Sequence, residues 1–250
     1  MKDNGLLVQY FNANTPADQT LWAKAAKDAA TLKKLGATAV WFPPATKGAA
    51  GKDDRGYAPY DLYDLGEFNQ KGSVGTRYGT KKEYLEAIDA MKAQGINVYA
   101  DIAVRQKLGA DSVEKVTAAD FNAKDIPQMI GNKKIVGALS KFTFPGRKSK
   151  YSKFKWNWNH FAGIDWQQDD FKRRVCELSG MTETEAEKKY KLSKYDYIIG
   201  SELDLYNQEV YDELMAWAKW YEDVTGVDGF RFQEAEKIPG WFIRDFAEAA

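Results

Sequence analysis

Apolar residues along this chain recur at two alternating spacings. Leu6-Leu7-Val8-Gln9-Tyr10-Phe11 is a short apolar run that predicts a strand. Residues 20–35 (TLWAKAAKDAATLKKL) then carry apolar positions at helical spacing, with Gly36 as a C-terminal stop. Thr38-Ala39-Val40-Trp41-Phe42 predicts a second strand, ended by Pro43-Pro44. A long Gly- and Tyr-rich loop (KGAAGKDDRGYAPYDLYDLGEF) leads to a helix at about 81–94, and residues 96–104 (INVYADIAV) predict a third strand. Strand, helix and strand in repetition require crossover connections, so the pattern implies a parallel sheet.

Residues 105 to about 200 break the rhythm. They mix polar and aromatic stretches (FTFPGRKSKYSKFKWNWNHFAGIDW) with a charged segment (MTETEAEKKYKLSKYDY), which reads as an inserted subdomain. The alternation resumes with a helix over about 207–225, a strand over 227–232 and an apolar-faced helix from Trp241. The expected organisation is therefore 1–104 for three strands with their helices, 105–200 for the insertion, and 201–250 for the return, with the fourth strand and fourth helix. Without an insertion of about 95 residues, some 155 remain, enough for roughly four β-α units, whereas a closed eight-stranded α/β barrel takes about 250. The expected fold class is α/β, a half of a TIM-type (β/α) barrel with a domain inserted after its third strand.

Composition narrows the partners. Thirty-six basic and thirty-six acidic residues cancel, which argues against electrostatic capture of nucleic acid or an anionic membrane. Eight Trp and fourteen Tyr favour a neutral sugar ligand, because ring faces stack on the apolar faces of pyranoses, although most such rings serve the core. The single cysteine, Cys176, cannot form an intrachain disulfide and has no evident activating partner, so it reads as an incidental thiol. The opening MKDNGLLVQYF has no apolar run of signal-peptide or membrane-span length, which fits a cytoplasmic protein or a secreted one whose leader is not part of this sequence.

Several stretches, in order, resemble one family: NGLLVQYF, LKKLGATAVWFPPATKG, RGYAPYDLYDLGEFNQKGSVGTRYGTKKEYLEAIDAMKAQGINVYADIAV, GAD, KFTFPGR, FKWNWNHFAGIDW, YDYIIGSELDL and VDGFRF. They are similar to the bacterial liquefying-type α-amylases of glycoside hydrolase family 13, and GYxxYDLYDLGEFNQKG is the most specific of them. The resemblance implies a (β/α)8 barrel with a domain B inserted after the third strand. It also implies that this sequence stops after the fourth helix, before the strands on which the family places its acid/base Glu and second catalytic Asp.

Retaining hydrolysis of a glycosidic bond needs a nucleophilic and a proton-donating carboxyl group, about 5 to 5.5 Å apart. The family's fourth-strand motif, Gly-Phe-Arg-x-Asp, carries the nucleophile. Here Gly229, Phe230 and Arg231 match, but the nucleophile position is Gln233, and an amide can serve neither role. Alternation along a strand puts Arg231 and Gln233 on one face and Glu234 on the other, so Glu234 could replace the nucleophile only through a bulge. The family's third-strand motif ends Asp-x-x-x-Asn-His, in which His contacts the sugar and Asn binds calcium. Asp101 is retained, but the last two positions are Arg105 and Gln106. A guanidinium has donors only, so Arg105 is expected to replace the metal by pairing with leftover carboxylates.

Asp196, Glu202 and Asp204 align with the family's acidic metal-binding segment, while Tyr206 and Asn207 replace its Asp and His, so no calcium or other cofactor is expected. Tyr57 matches the tyrosine that stacks on the sugar beside the cleavage point, whereas the family's Glu-Trp after the first strand is Asn12-Ala13. The expected sugar-binding set is Tyr57, Asp101, Gln106 and Arg231. Trp156, Trp158, His160, Phe161 and Trp166 are expected to pack in helices or core rather than touch glucan. Three functions stay open. The first is a catalytically defective relative that recognises a neutral α-glucan or maltooligosaccharide. The second is an active hydrolase completed by a second chain or using Glu202, Glu234 or Glu236. The third is a scaffold whose open barrel edges pair in a homodimer.

Overall fold

The computed structural model of the protein describes residues 5–121, 129–168, 172–178 and 200–250. Its elements run β1 (Leu7–Gln9), α1 (Leu21–Lys34), β2 (Ala39–Phe42), β3 (Lys47–Gly48), β4 (Pro59–Asp61), α2 (Lys81–Ala93), β5 (Asn97–Ile102) and β6 (Gln106–Lys107). They continue β7 (Ser112–Phe121), β8 (Met129–Lys141), β9 (Phe161–Gln167), β10 (Lys172–Glu177), β11 (Ser201–Leu203), α3 (Gln208–Thr225), β12 (Gly229–Phe232) and α4 (Gly240–Ala249). Local chemistry sets several boundaries. Thr80 and Glu83 close a capping box at the start of α2, the Asn207 side chain accepts the Glu209 amide at the start of α3, and Gly226 ends α3 at φ +61°.

Four strands form a parallel sheet in the order β1-β2-β5-β12. One face is sealed by helices. Val40 and Phe42 of β2 and Val98, Ala100 and Ile102 of β5 are buried, and Phe42 meets Trp22 of α1 at 5.3 Å and Tyr84 of α2 at 6.3 Å. Phe230 of β12 meets Tyr221 of α3 and Phe246 of α4 at 5.6 and 5.4 Å. The other face stays open: Leu7 is 56% exposed, Gln9 and Arg231 are exposed, and Trp41 and Tyr99 are only half-buried. Parallel sheets are normally covered on both faces, so this half-bare face is an unusual feature.

The second sheet is antiparallel, with six strands in the order β6-β11-β9-β10-β7-β8. The chain enters it through β6, with three residues between β5 and β6, and leaves through β11, the strand paired with β6. Entry and exit therefore form one narrow neck. Here the aromatic residues match the expected core packing only in part. Trp156, His160 and Phe161 are buried, but they pack beside strands and a single short turn rather than a helix, and Trp158 and Trp166 remain 39% and 37% exposed. The long β7–β8 hairpin also lacks a strong sequence signal. Its inward positions are mostly small residues, Val116, Ala118, Val136 and Ala138, which give shallow alternation.

Candidate functional site

Parallel pairing places Arg231 of β12 directly beside Asp101 of β5. Its Nη1 donates to Asp101 Oδ1 and Oδ2 at 3.1 and 3.2 Å, and the guanidinium stands 4.8 Å over the Trp41 ring of β2. Tyr57 Oη donates to Asp101 Oδ2 at 2.7 Å, and Gln106 Nε2 donates to the Tyr57 carbonyl at 3.2 Å. Tyr57, Asp101, Gln106 and Arg231 thus form one connected group at the C-terminal ends of β5 and β12. Burial pushes the Asp101 carboxyl up, against hydrogen bonds from Tyr57 and Arg231 that favour its ionised form. Burial and the Asp101 contact together hold the Tyr57 hydroxyl far above the ordinary tyrosine range, so it stays a donor. Trp41 joins this group although no motif marks it. Its signal was present: Trp41 alternates with the core positions Val40 and Phe42 and so points to the open face.

Gln233 follows the strand. Its amide donates to the Ile102 carbonyl at 2.9 Å, one step beyond the regular ladder, and its side-chain oxygen is buried with no hydrogen-bond donor among the described residues. Alternation then stops. Glu234 adopts a left-handed conformation at φ +51° and begins a short turn over 235–237, so its side chain is aimed by that turn and not by strand register. The turn sends it to Arg105.

Arg105 lies between two carboxylates. Nη1 donates to Glu202 Oε1 at 3.0 Å and Nη2 to Glu234 Oε2 at 2.6 Å, while Lys237 Nζ reaches Glu234 Oε1 at 3.0 Å. Burial pushes the Glu202 carboxyl up to about 7, with Arg105 pulling the other way. Burial also acts on Glu234, but Lys237 and Arg105 outweigh it and hold that carboxyl below its ordinary range. A guanidinium in this place offers only donors, so these residues do not form a cage of oxygen ligands for a hard cation. Among the described residues, no group of three or more His, Cys, Asp or Glu side chains is arranged to hold a metal ion. Asp204 accepts the Tyr206 amide at 3.1 Å, and Asp196 lies outside the described residues. Lone His160 sits among Phe154 and Trp156 and contacts Glu209 at 3.1 Å.

Among the described residues, no helix is long and apolar enough to cross a membrane. No protein-family model matches the chain. It is 45% identical over 244 residues to an α-amylase of Geobacillus stearothermophilus, covering 97% of this chain and 44% of that protein. It is 41% identical over 243 residues to an α-amylase of Bacillus licheniformis (97% and 47%) and 37% identical over 249 residues to the cytoplasmic α-amylase of Escherichia coli strain K12 (98% and 50%). The chain spans about half the length of the curated relatives it matches. Among solved structures it resembles the α-amylase of Geobacillus thermoleovorans complexed with acarbose, at TM-score 0.55 and 16% identity over 99% of this chain and 43% of that one. An α-amylase of Malbranchea cinnamomea gives 0.53 and 14%, over 98% and 44%. At such identities these two likenesses speak to the α/β fold alone.

Proposed function

Because the chain is a homologue of bacterial α-amylases of the glycoside hydrolase family 13 type along nearly its whole length, we propose that it is a catalytically defective α-glucan recognition module. The observation that carries this reading is the pairing of Arg231 with Asp101 beside an amide at Gln233. An arginine that would hold a nucleophilic carboxylate ionised has no such group two residues on, and its charge is balanced by Asp101. What remains suits binding: a carboxylate and a guanidinium held in place by Tyr57 and Trp41, with the amide of Gln106 beside them. In this reading the parallel sheet is four β-α units of a TIM-type barrel, the antiparallel sheet is its domain B, and Arg105 stands in for calcium.

Calorimetry with maltooligosaccharides and a product assay test this together. Heat of binding at millimolar ligand is expected, unchanged by EDTA, with no reducing sugar released. Gln233→Asp is expected to remain inactive, because Gln106 still replaces the sugar-contacting histidine. Turnover by the wild-type chain would overturn the defect and favour an active hydrolase, whereas absence of heat would remove glucan recognition.

The open sheet face favours a second reading that coexists with the first. A second copy could cover Leu7, Trp41 and Tyr99 by pairing the β12 edge of each chain with the β1 edge of the other, closing eight parallel strands under a two-fold axis. Light scattering is expected to give about twice the 28.3 kDa chain mass. A monomer at high concentration sinks this reading.

A further inference from the structure

Lys107 stands outside the site described above. Its side chain is fully buried and its Nζ has no hydrogen-bond partner among the described residues. Three rings surround it, with centroids at 5.3 Å (Phe142), 5.4 Å (Phe144) and 5.1 Å (Trp156). The cage is fixed, because Phe142 and Trp156 exchange backbone hydrogen bonds of 3.0 and 3.1 Å.

The charged groups around the cage are all engaged elsewhere. Asp61 of β4 accepts from Arg147 Nε and Gln70, Glu213 of α3 accepts from Ser152, and Asp111 accepts from Tyr60 and Thr143. Arg147 adds a like charge nearby, Lys155 stands over the far ring of the cage, Phe144, and His160 packs edge-on against Trp156. An ammonium here gains ring faces and distant carboxylates but loses all of its water. Desolvation outweighs those gains and holds the amine down at about 7.

Position gives the amine its leverage. Lys107 lies in β6 and is paired with Ser201 of β11, so it sits in the neck through which the chain enters and leaves the antiparallel sheet. Arg105 and Glu202 clasp the neck as well. We infer that Lys107 is a pH-sensitive latch: the uncharged amine holds the β6–β11 neck closed, and its protonation loosens the antiparallel sheet from the parallel one.

The sign follows from linkage. Between about pH 7 and the ordinary lysine value of 10.5, an opened neck binds a proton that the closed neck excludes, so closure strengthens as pH rises. Below pH 7 and above 10.5 this group contributes no slope.

Hydrogen exchange on the full chain at pH 7.5, 8.5 and 9.5, corrected for intrinsic rates, tests the latch. The opening constant for amides in 106–107 and 201–203 is expected to fall about tenfold per pH unit relative to the same amides in Lys107→Met. Parallel pH profiles in the two proteins, or a slope of opposite sign, would overturn it. An NMR titration of ε-13C-labelled lysines in the wild-type chain does not depend on the variant folding. A resonance moving near pH 7 is expected, and one assigned to Lys107 that moves only near 10 contradicts the latch.

Discussion

Arg147→Met is expected to lower the unfolding free energy by roughly 3–5 kcal/mol, the range for stripping one partner from a buried ion pair. Arg147 and Asp61 are both 1% exposed and meet at 2.8 Å, Nε to Oδ2. The same guanidinium donates from Nη1 to the carbonyls of Lys150 and Ser152, each at 2.6 Å, and stands 4.9 Å from the Phe144 ring and 5.3 Å from Tyr63. Methionine preserves much of the ring packing but donates nothing. Two carbonyls and a buried carboxylate lose their donor together, and among the described residues Asp61 keeps only Gln70 and the Tyr63 amide. For a domain with a total stability of order 5–15 kcal/mol, the loss is severe. Urea denaturation measures it. Arg147→Met/Asp61→Leu is expected to recover part of the loss, because the uncompensated charge is gone. A single-variant change under about 1 kcal/mol would show that the pair is not buried as described.

The second large effect belongs to Arg105→Met, for which a loss of about 3 kcal/mol at pH 8 is expected. The substitution leaves Glu202 and Glu234 near each other without the guanidinium that bridges them. Glu202, already raised to about 7 by burial, loses the group that pulled it down and rises further. A carboxyl raised in the folded state is penalised as pH climbs above its unfolded value near 4.5 and through the folded one. The penalty relative to wild type should therefore shrink on going from pH 8 to pH 5, where Glu202 keeps its proton. Chemical denaturation of both proteins at the two pH values checks the size and sign. A deficit independent of pH would mean that the carboxylates are not coupled through Arg105.

Much of the fold and of the site was legible in the residues. The helices over 21–34, 81–93 and 208–225 fall within one or two residues of their expected bounds, because each carries an apolar stripe and a polar or glycine terminus. Arg231 and Asp101 were both legible as site residues, but their pairing follows from the register of β12 on β5, which the residue pattern does not contain. Alternation stops short of Glu234, where a left-handed residue follows the end of the strand. The side chain then meets Lys237, a local contact three residues on, and Arg105, a tertiary contact that spacing along the strand does not reveal. Trp158 and Trp166 failed for a similar reason: an aromatic run shows which rings are present but not which of them the neighbouring strands cover.

By itself, the sequence determined the alternation of strands and helices, the amide at Gln233 and the donor-only guanidinium at Arg105. These depend on local spacing and on the identity of single side chains, which no packing can change. Only the tertiary structure decided that Arg105 takes Glu234 as well as Glu202, that one sheet face is left half-bare, and that Lys107 is sealed among three rings. Those outcomes bring together residues some 35 to 130 positions apart in the chain, and the free energy of each is set by water excluded after the chain has closed around it.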